Sequence, residues 1–248
     1  MPTNIYFISN VVNIAANILV FIISLLYCYR RGKPRYLRLF PIYLAVSIAV
    51  ELLVNSFMTT LWHFQPFGSY QDRARNVIYN LWGPFELYIF SCFLFRISHS
   101  KIVRTIFAAS ILLYGIYFLA YAVGVGLSKE TGLIAIVMEN ITFILPCSAW
   151  YWSIFAVSKS IDLPGDPAFW LVTGILFYAV AIIPYFLIAI YCTRHGLDAL
   201  CGSLYCINNF SLVVTYILFI KGFTCRANIL VNISHQAQQG AAGLSTPT

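Results

Sequence analysis

The chain has 248 residues, of which 60% are hydrophobic and only 9% are charged. A soluble domain carries roughly 25% charged residues, and a water-soluble fold of this composition would expose large apolar patches. The formal net charge of +7 does not indicate a nucleic-acid partner, because the basic residues stand between hydrophobic runs, where the positive-inside rule places them. The composition therefore predicts an integral membrane protein in contact with the lipid bilayer.

Seven apolar runs follow one another, and each is long enough to span a bilayer as a helix of about 20 residues. They are continuously apolar instead of alternating, which disfavours a barrel of strands. We expect an all-α bundle of seven transmembrane helices over residues 1–222 and a largely disordered tail over residues 223–248. The runs are Ile5–Cys28, Leu39–His63, Val77–Ile97, Val103–Val125, Gly132–Ala156, Ala168–Cys192 and Leu200–Gly222.

The distribution of Lys and Arg predicts the orientation of the bundle. No basic residue precedes the first run, and Arg30 and Arg31 follow it directly. With the N-terminus outside, eleven of the 15 Lys and Arg fall on the inner side and four on the outer side. This excess favours an external N-terminus and a cytoplasmic C-terminus. We therefore expect a multi-pass protein of the cytoplasmic (inner) membrane.

Three carboxylates inside the runs are the most informative residues. A charged side chain at the bilayer centre costs about 2.5–3.5 kcal/mol on insertion scales, so such residues face the bundle interior or water. Helical spacing places amide, tyrosine and tryptophan side chains on the same faces as the carboxylates. The predicted ligand-binding residues are Glu51, Asn55, Tyr79, Asn80, Trp82, Glu86, Glu139, Asn140 and Asn208.

The depth of these residues predicts the shape of the site. Because successive helices alternate in direction, Glu51 and Glu86 fall near the middle of the bilayer, and most of the amides and Glu139 fall in the outer half. The inner half holds mainly aliphatic and aromatic residues. We expect a polar cavity that opens outward and is closed at its inner end. Tyrosine and tryptophan rings beside carboxylates suit an amphipathic or cationic small molecule.

Other functions fit part of the pattern. Asn residues in membrane helices often hydrogen-bond neighbouring helices, at about 0.6–2 kcal/mol each, which would suit a scaffold or assembly subunit without a ligand. Membrane carboxylates also mark proton relays, although a proton-coupled transporter needs polar access from both sides. The sequence contains no catalytic motif, no paired histidines and no CxxC spacing. We therefore predict a protein that is not an enzyme, with no metal site and no cofactor.

Three loose motifs carry a resemblance to known proteins. They are the segment from Asn80 to Glu86 (NLWGPFE), the pair Glu139-Asn140, and Phe169-Trp170 followed by Gly174 and Tyr178. In these motifs the chain resembles small uncharacterised bacterial seven-helix membrane proteins. It is also similar in general arrangement to the seven-helix sensor modules of histidine kinases, although we expect no output domain within these 248 residues.

The resemblance supports the seven-helix fold more than an activity. Together with the predicted cavity, it makes a small-molecule sensor or binding protein the leading hypothesis. A sensor with so short a tail would need a separate signalling partner on the cytoplasmic side. The basic loop Tyr29–Arg38 is the candidate docking segment for that partner. The same loop also suits an orientation anchor beside anionic lipid.

Overall fold

The computed structural model describes residues 2–30, 33–61, 70–98, 100–127, 132–157, 163–195 and 198–225. Within these ranges, 3-10 turns at Arg35–Arg38 and Leu163–Gly165 precede the second and sixth of seven α-helices. Each helix contains a segment of 18 to 26 residues that is apolar enough to cross a membrane, which confirms the expected helix count. The predicted tail lies almost wholly outside the described residues. The helices are α1 (Pro2–Cys28), α2 (Leu39–Leu61), α3 (Tyr70–Ile97), α4 (Lys101–Gly124), α5 (Leu133–Val157), α6 (Pro167–Arg194) and α7 (Asp198–Thr224).

The largest difference from the sequence prediction is the start of α3. The helix begins at Tyr70, seven residues before the apolar run at Val77. The added turns include Asp72, Arg73 and Arg75, and the membrane-length segment of α3 begins only at Asn76. Backbone hydrogen bonds hold a helix together without apolar side chains. Hydropathy therefore marked the apolar part of α3 and missed its polar extension.

The helix contacts place α3 between α2 and α5. Six helices form a closed ring in the order α1, α2, α3, α5, α6, α7, and α4 packs against α3 and α5. Among the seven membrane-length segments of the described residues, that of α4 has the smallest buried share. It therefore covers the seam between α3 and α5 from outside the ring, while α2, α3 and α5 bring Glu51, Glu86 and Glu139 towards the interior.

Two glycines let α6 and α7 approach each other closely. A Cβ atom on Gly174 would lie 2.7 Å from a ring carbon of Phe219, and one on Gly222 would lie 3.0 Å from Cγ of Leu171. Small residues at such contacts allow helix backbones to pack tightly in membranes. The helices α6 and α7 therefore form a closely packed pair within the ring.

A cluster of phenylalanines fills the ring on one side of Glu86. Phe40 at the start of α2 lies at the centre of this aromatic cluster, with ring centroids 5.0 Å from Phe93, 5.2 Å from Phe219 and 5.7 Å from Phe223. These three pairs meet edge to face, the arrangement that aromatic quadrupoles favour. Phe90 joins the cluster at 6.1 Å from Phe40. All five rings are buried.

The aromatic cluster lies near the end of the bundle where α1, α3, α5 and α7 finish, which we call the basic end. Lys33 in the α1–α2 connection ties this end together, because its Nζ donates to the carbonyl of Phe223 at 2.9 Å and to that of Cys225. A cation there stabilises the C-terminus of α7. Burial lowers the pKa of Lys33. The basic end carries Arg30, Lys33, Arg35, Arg38, Arg96, Lys101, Arg104 and Lys221.

Asp166 caps the N-terminus of α6 at the basic end. Its carboxylate accepts the backbone N–H of Ala168 at 2.9 Å, and Pro167 takes the first helical position. Burial raises the pKa of Asp166, and the hydrogen bond from Ala168 opposes this only partly. The folded protein therefore binds a proton on Asp166 more tightly than the unfolded chain does.

This pKa shift predicts how Asp166→Asn changes stability with pH. The stabilisation that Asp166 gains from its raised pKa is complete below about 3.9, its ordinary pKa, and is lost as the pH rises through the raised value. Asparagine caps a helix as well as aspartate but does not titrate. Thermal unfolding is measured between about pH 4 and pH 8. The unfolding temperature of Asp166→Asn should rise relative to that of the native protein as the pH rises. Asp166→Ala should cost about 1 kcal/mol, whereas a pH-independent difference for Asp166→Asn would contradict the assignment.

Candidate functional site

Glu86 on α3 receives two hydrogen bonds in the bundle interior. The hydroxyl of Tyr43 on α2 donates to Oε1 of Glu86 at 2.9 Å. Trp82, one helical turn before Glu86, also hydrogen-bonds its carboxylate. The rings of Tyr43 and Trp82 lie 5.6 Å apart between centroids. Glu86 is therefore held in one orientation by two aromatic donors, Trp82 from its own helix and Tyr43 from α2.

Glu139 on α5 packs against the same turn of α3. Its Oε2 lies beside Gly83, where a Cβ atom would come within 2.5 Å of that oxygen and 3.2 Å of the Tyr114 hydroxyl. The absence of a side chain at Gly83 is what lets the carboxylate approach α3. Glu139 is close enough to Glu86 for their charges to repel each other. The structure thus brings two predicted site residues, Glu86 and Glu139, into one buried pair.

Oε1 of Glu139 is buried and makes no hydrogen bond within the described part of the chain. The residue as a whole is only 4% exposed. A buried polar atom without a partner costs about 1–3 kcal/mol, and more when it is charged. The two members of the carboxylate pair therefore differ, because Glu86 has its donors and Glu139 has an open acceptor.

Glu51 stands apart from this pair. It is half-buried on α2, and its charge acts on Tyr216 of α7, which also feels the charge of Glu86. In the described ranges no three His, Cys, Asp or Glu side chains lie close enough together to hold a metal ion. The three carboxylates therefore do not converge on one point. Glu86 and Glu139 form a pair, and both Glu51 and Glu86 lie near enough to Tyr216 for their charges to act on it.

Asn80 holds the connection between α4 and α5. Its Nδ2 donates to the carbonyl of Leu127 at 2.8 Å, and its Oδ1 accepts the backbone N–H of Gly132 at 2.9 Å. Gly126, with φ of 89°, sits in the left-handed region just beyond α4, a conformation that commonly ends a helix. These bonds give Asn80 a structural task, and a ligand contact for its side chain stays a prediction.

The other predicted site residues are placed in different ways. Asn140 is buried, and its Nδ2 donates to the carbonyl of Ile136 at 2.7 Å, one turn earlier in α5. Within the described residues its Oδ1 has no hydrogen-bond partner. Tyr79 and Asn208 are half-buried, and the side chain of Asn55 lies outside the described residues.

Two further amides join helices to one another. Nδ2 of Asn17 on α1 donates to Oγ of Ser47 on α2 at 2.9 Å, and Ser47 also hydrogen-bonds Tyr216 on α7. Asn209 on α7 donates to Oγ of Ser9 on α1 at 2.9 Å. Each such bond contributes about 0.6–2 kcal/mol to packing. For these amides the packing role is the one that the geometry supports.

The carboxylate pair is thus the centre of the candidate site. Comparisons with protein-family models, with curated proteins and with solved structures find no match to this chain. The chemistry of the site therefore has to be inferred from its own residues.

Sequence reasoning missed three residues that shape the pair. Tyr43 lies four and eight residues before Ser47 and Glu51 on α2, so extending that polar stripe by one turn would have found it. Gly83 gives no polar signal, and its role follows only from the approach of Glu139. Tyr114 is buried in α4, and its meeting with Glu139 depends on how α4 packs.

Proposed function

We propose that the chain is a multi-pass protein of the cytoplasmic membrane that binds a small molecule and acts as a sensor, with an external N-terminus and a cytoplasmic C-terminus. Its ligand would enter a polar cavity from the outer side and contact Glu86 and Glu139. The observation that carries this proposal is the buried pair of carboxylates, one of which has an open oxygen. Glu51, Asn140 and Asn208 complete the proposed lining.

The charge of the pair favours a binding role over a packing role. Arg96, Arg104 and Lys221 are the basic residues inside the apolar runs, and each stands next to the end of its run. Arg96 is ten residues from Glu86, about 15 Å along α3. Two carboxylates placed together with no cation at their level are a costly way to join helices. The free-energy cost of burying these two carboxylates is explained if they bind a ligand.

The basic end favours a closed inner side. Phe40, Phe90, Phe93, Phe219 and Phe223 fill the ring between Glu86 and this end. A proton-coupled transporter would need a polar route past these rings. The aromatic cluster therefore does not support the transporter alternative.

A scaffold or assembly subunit remains the second candidate. The interhelical bonds of Asn17 and Asn209, and the loop contacts of Asn80, are what such a protein would use. These bonds account for the side-chain nitrogens of Asn17 and Asn209 and for both polar atoms of Asn80, but no such bond accounts for the buried carboxylate oxygen Oε1 of Glu139.

A sensor also needs an output, for which we propose a partner protein at the basic end. In the described part of the α1–α2 connection, Arg30, Arg35 and Arg38 are exposed, whereas Lys33 is bound to the end of α7. The loop therefore contacts α7 and offers charge to the cytoplasm at the same time. An acidic partner surface would suit it, as anionic lipid would.

Cysteine accessibility tests the proposed cavity. Asn140 and Met138 lie two residues apart on α5, at nearly the same depth, but Asn140 is buried and Met138 is exposed on the outside of the bundle. Asn140→Cys and Met138→Cys would be made in a variant whose seven native cysteines are replaced by alanine. A charged, membrane-impermeant thiol reagent added from the outer side reacts only where water reaches the thiol.

We expect Asn140→Cys to react from the outer side and Met138→Cys, in lipid, to remain unmodified. Failure of both positions to react would support the packing function and overturn the cavity. Reaction of Asn140→Cys from the cytoplasmic side only would overturn the outward opening. Folding of both variants is checked first by thermal unfolding in detergent.

A further inference from the structure

The charge balance around Glu86 and Glu139 points to the kind of molecule that the site binds. Two carboxylates meet there, and the polar groups beside them are the hydroxyls of Tyr43 and Tyr114, which carry no positive charge. The basic residues of α3, α4 and α7 stand near the ends of their apolar runs. The site therefore lacks a protein cation at its own level, and a ligand with positive charge would supply one.

The asymmetry of the pair shows where that charge would bind. The carboxylate of Glu86 already accepts hydrogen bonds from Tyr43 and Trp82. Oε1 of Glu139 is buried with no partner in the described part of the chain. An N–H donor from a ligand would satisfy that oxygen with a charge-assisted hydrogen bond. Glu139 is thus the acceptor, and Glu86 adds negative charge from the other side.

The surrounding groups favour an organic cation over a metal ion. A metal ion requires several oxygen ligands around it, and no three carboxylate, histidine or cysteine side chains within the described ranges are arranged to provide them. Aromatic rings lie beside Glu86, since Tyr43 and Trp82 both hydrogen-bond it and the ring of Tyr43 is 5.6 Å from that of Trp82 and 4.8 Å from that of Phe90 between centroids. Such rings attract ammonium groups through their negative faces.

We infer that the ligand of the site is a small organic ammonium compound, whose positive charge lies between Glu139 and Glu86. This inference rests on the proposed function and narrows it to one chemical class. It predicts discrimination between molecules of the same shape that differ in charge. It also assigns to Glu139 the larger share of that discrimination.

Matched pairs of compounds test the inference. Purified protein is unfolded by heat in detergent with isopentylamine or its neutral counterpart isopentanol, and with benzylamine or benzyl alcohol, at the same ionic strength. A ligand that binds the folded state raises the unfolding temperature, by an amount that grows with the ratio of its concentration to its dissociation constant. We expect at least one ammonium compound to raise it and its neutral partner to leave it unchanged. Equal effects of charged and neutral partners, or no effect of either ammonium compound, would overturn the inference.

Two variants separate the site from general charge effects. Glu139→Gln keeps the shape of the side chain and removes its charge, and we expect it to weaken ammonium binding at least about tenfold. Asp166→Asn removes a carboxylate at the basic end and should leave ammonium binding unchanged. Equal losses in both variants would show that net charge, not Glu139, attracts the compound.

Gly83→Ala provides a second route if Glu139→Gln does not fold. The added methyl group would come within 2.5 Å of Oε2 of Glu139 and must displace that carboxylate. We expect ammonium binding to fall while the helix itself is favoured by the loss of glycine. Binding that is unchanged in Gly83→Ala would contradict the role of Glu139.

The two proposals fail in different ways. If Asn140→Cys is accessible from outside but only neutral compounds stabilise the protein, the cavity stands and the ammonium ligand is wrong. If Asn140→Cys is inaccessible and no compound stabilises the protein, the binding function itself is wrong.

Discussion

Phe40→Ala is expected to lower the free energy of unfolding by roughly 3 kcal/mol or more, because truncation of a buried phenylalanine leaves a cavity that the surrounding rings cannot fill. Phe40 is 0% exposed. Its ring is in contact with residues of α3 and α7, so its loss would loosen two helix interfaces. The measurement is reversible unfolding of the purified protein in mixed detergent.

Phe155→Ala is the matched control. Phe155 lies on α5 and is 63% exposed on the outside of the bundle, where lipid or detergent replaces the lost contacts. We expect this variant to cost less than about 1 kcal/mol, as surface substitutions do. Equal losses for the two variants would mean that the aromatic cluster adds no packing energy beyond that of an outward-facing ring.

The helix count was predictable because runs this apolar are expected in lipid, which imposes one rule on each of them. Every backbone group must be bonded within its own segment, so a long apolar run has helix as its solution. This is why every helix except α3 begins and ends within three residues of its predicted limits. The polar start of α3 was missed because the rule applies only where lipid is present.

The site was less predictable, since contacts between helices depend on how each helix is rotated and tilted. Helical periodicity correctly placed Trp82 and Glu86 on one face of α3. It gave no means of knowing that Glu139 would meet Gly83, or that Glu51 would lie near Tyr216 of α7. The depth of a residue along its helix can be counted from the sequence. The residues that it contacts on neighbouring helices cannot be predicted in this way.

The amides show the same limit in another way. Asn80 and Asn140 were both predicted to bind a ligand. In the sequence, an amide residue inside an apolar run has the same pattern whether its side chain binds a ligand or a backbone group. In the structure, Asn80 bonds to both sides of the α4–α5 connection and Asn140 bonds to its own helix. The identity of the acceptor, which no sequence pattern encodes, separates these roles.

A double-mutant cycle between Tyr43 and Glu86 is expected to show the other large effect. The hydroxyl of Tyr43 donates to Oε1 of Glu86 at 2.9 Å in a buried setting, and a hydrogen bond to a charged group contributes about 1.5–3 kcal/mol. Tyr43→Phe removes the donor and keeps the ring. We expect it to lower the free energy of unfolding by an amount in this range.

The same substitution should cost less, about 0.5–1.5 kcal/mol, in a protein that already carries Glu86→Gln, because a neutral amide oxygen is a weaker acceptor. The difference between the two costs is the coupling energy of the pair. Tyr88→Phe, on the exposed side of α3, is the control and should change stability by less than about 0.5 kcal/mol. A coupling energy near zero would mean that Tyr43 does not hold a charged Glu86, and the cation site would then lose the fixed carboxylate that it requires opposite Glu139.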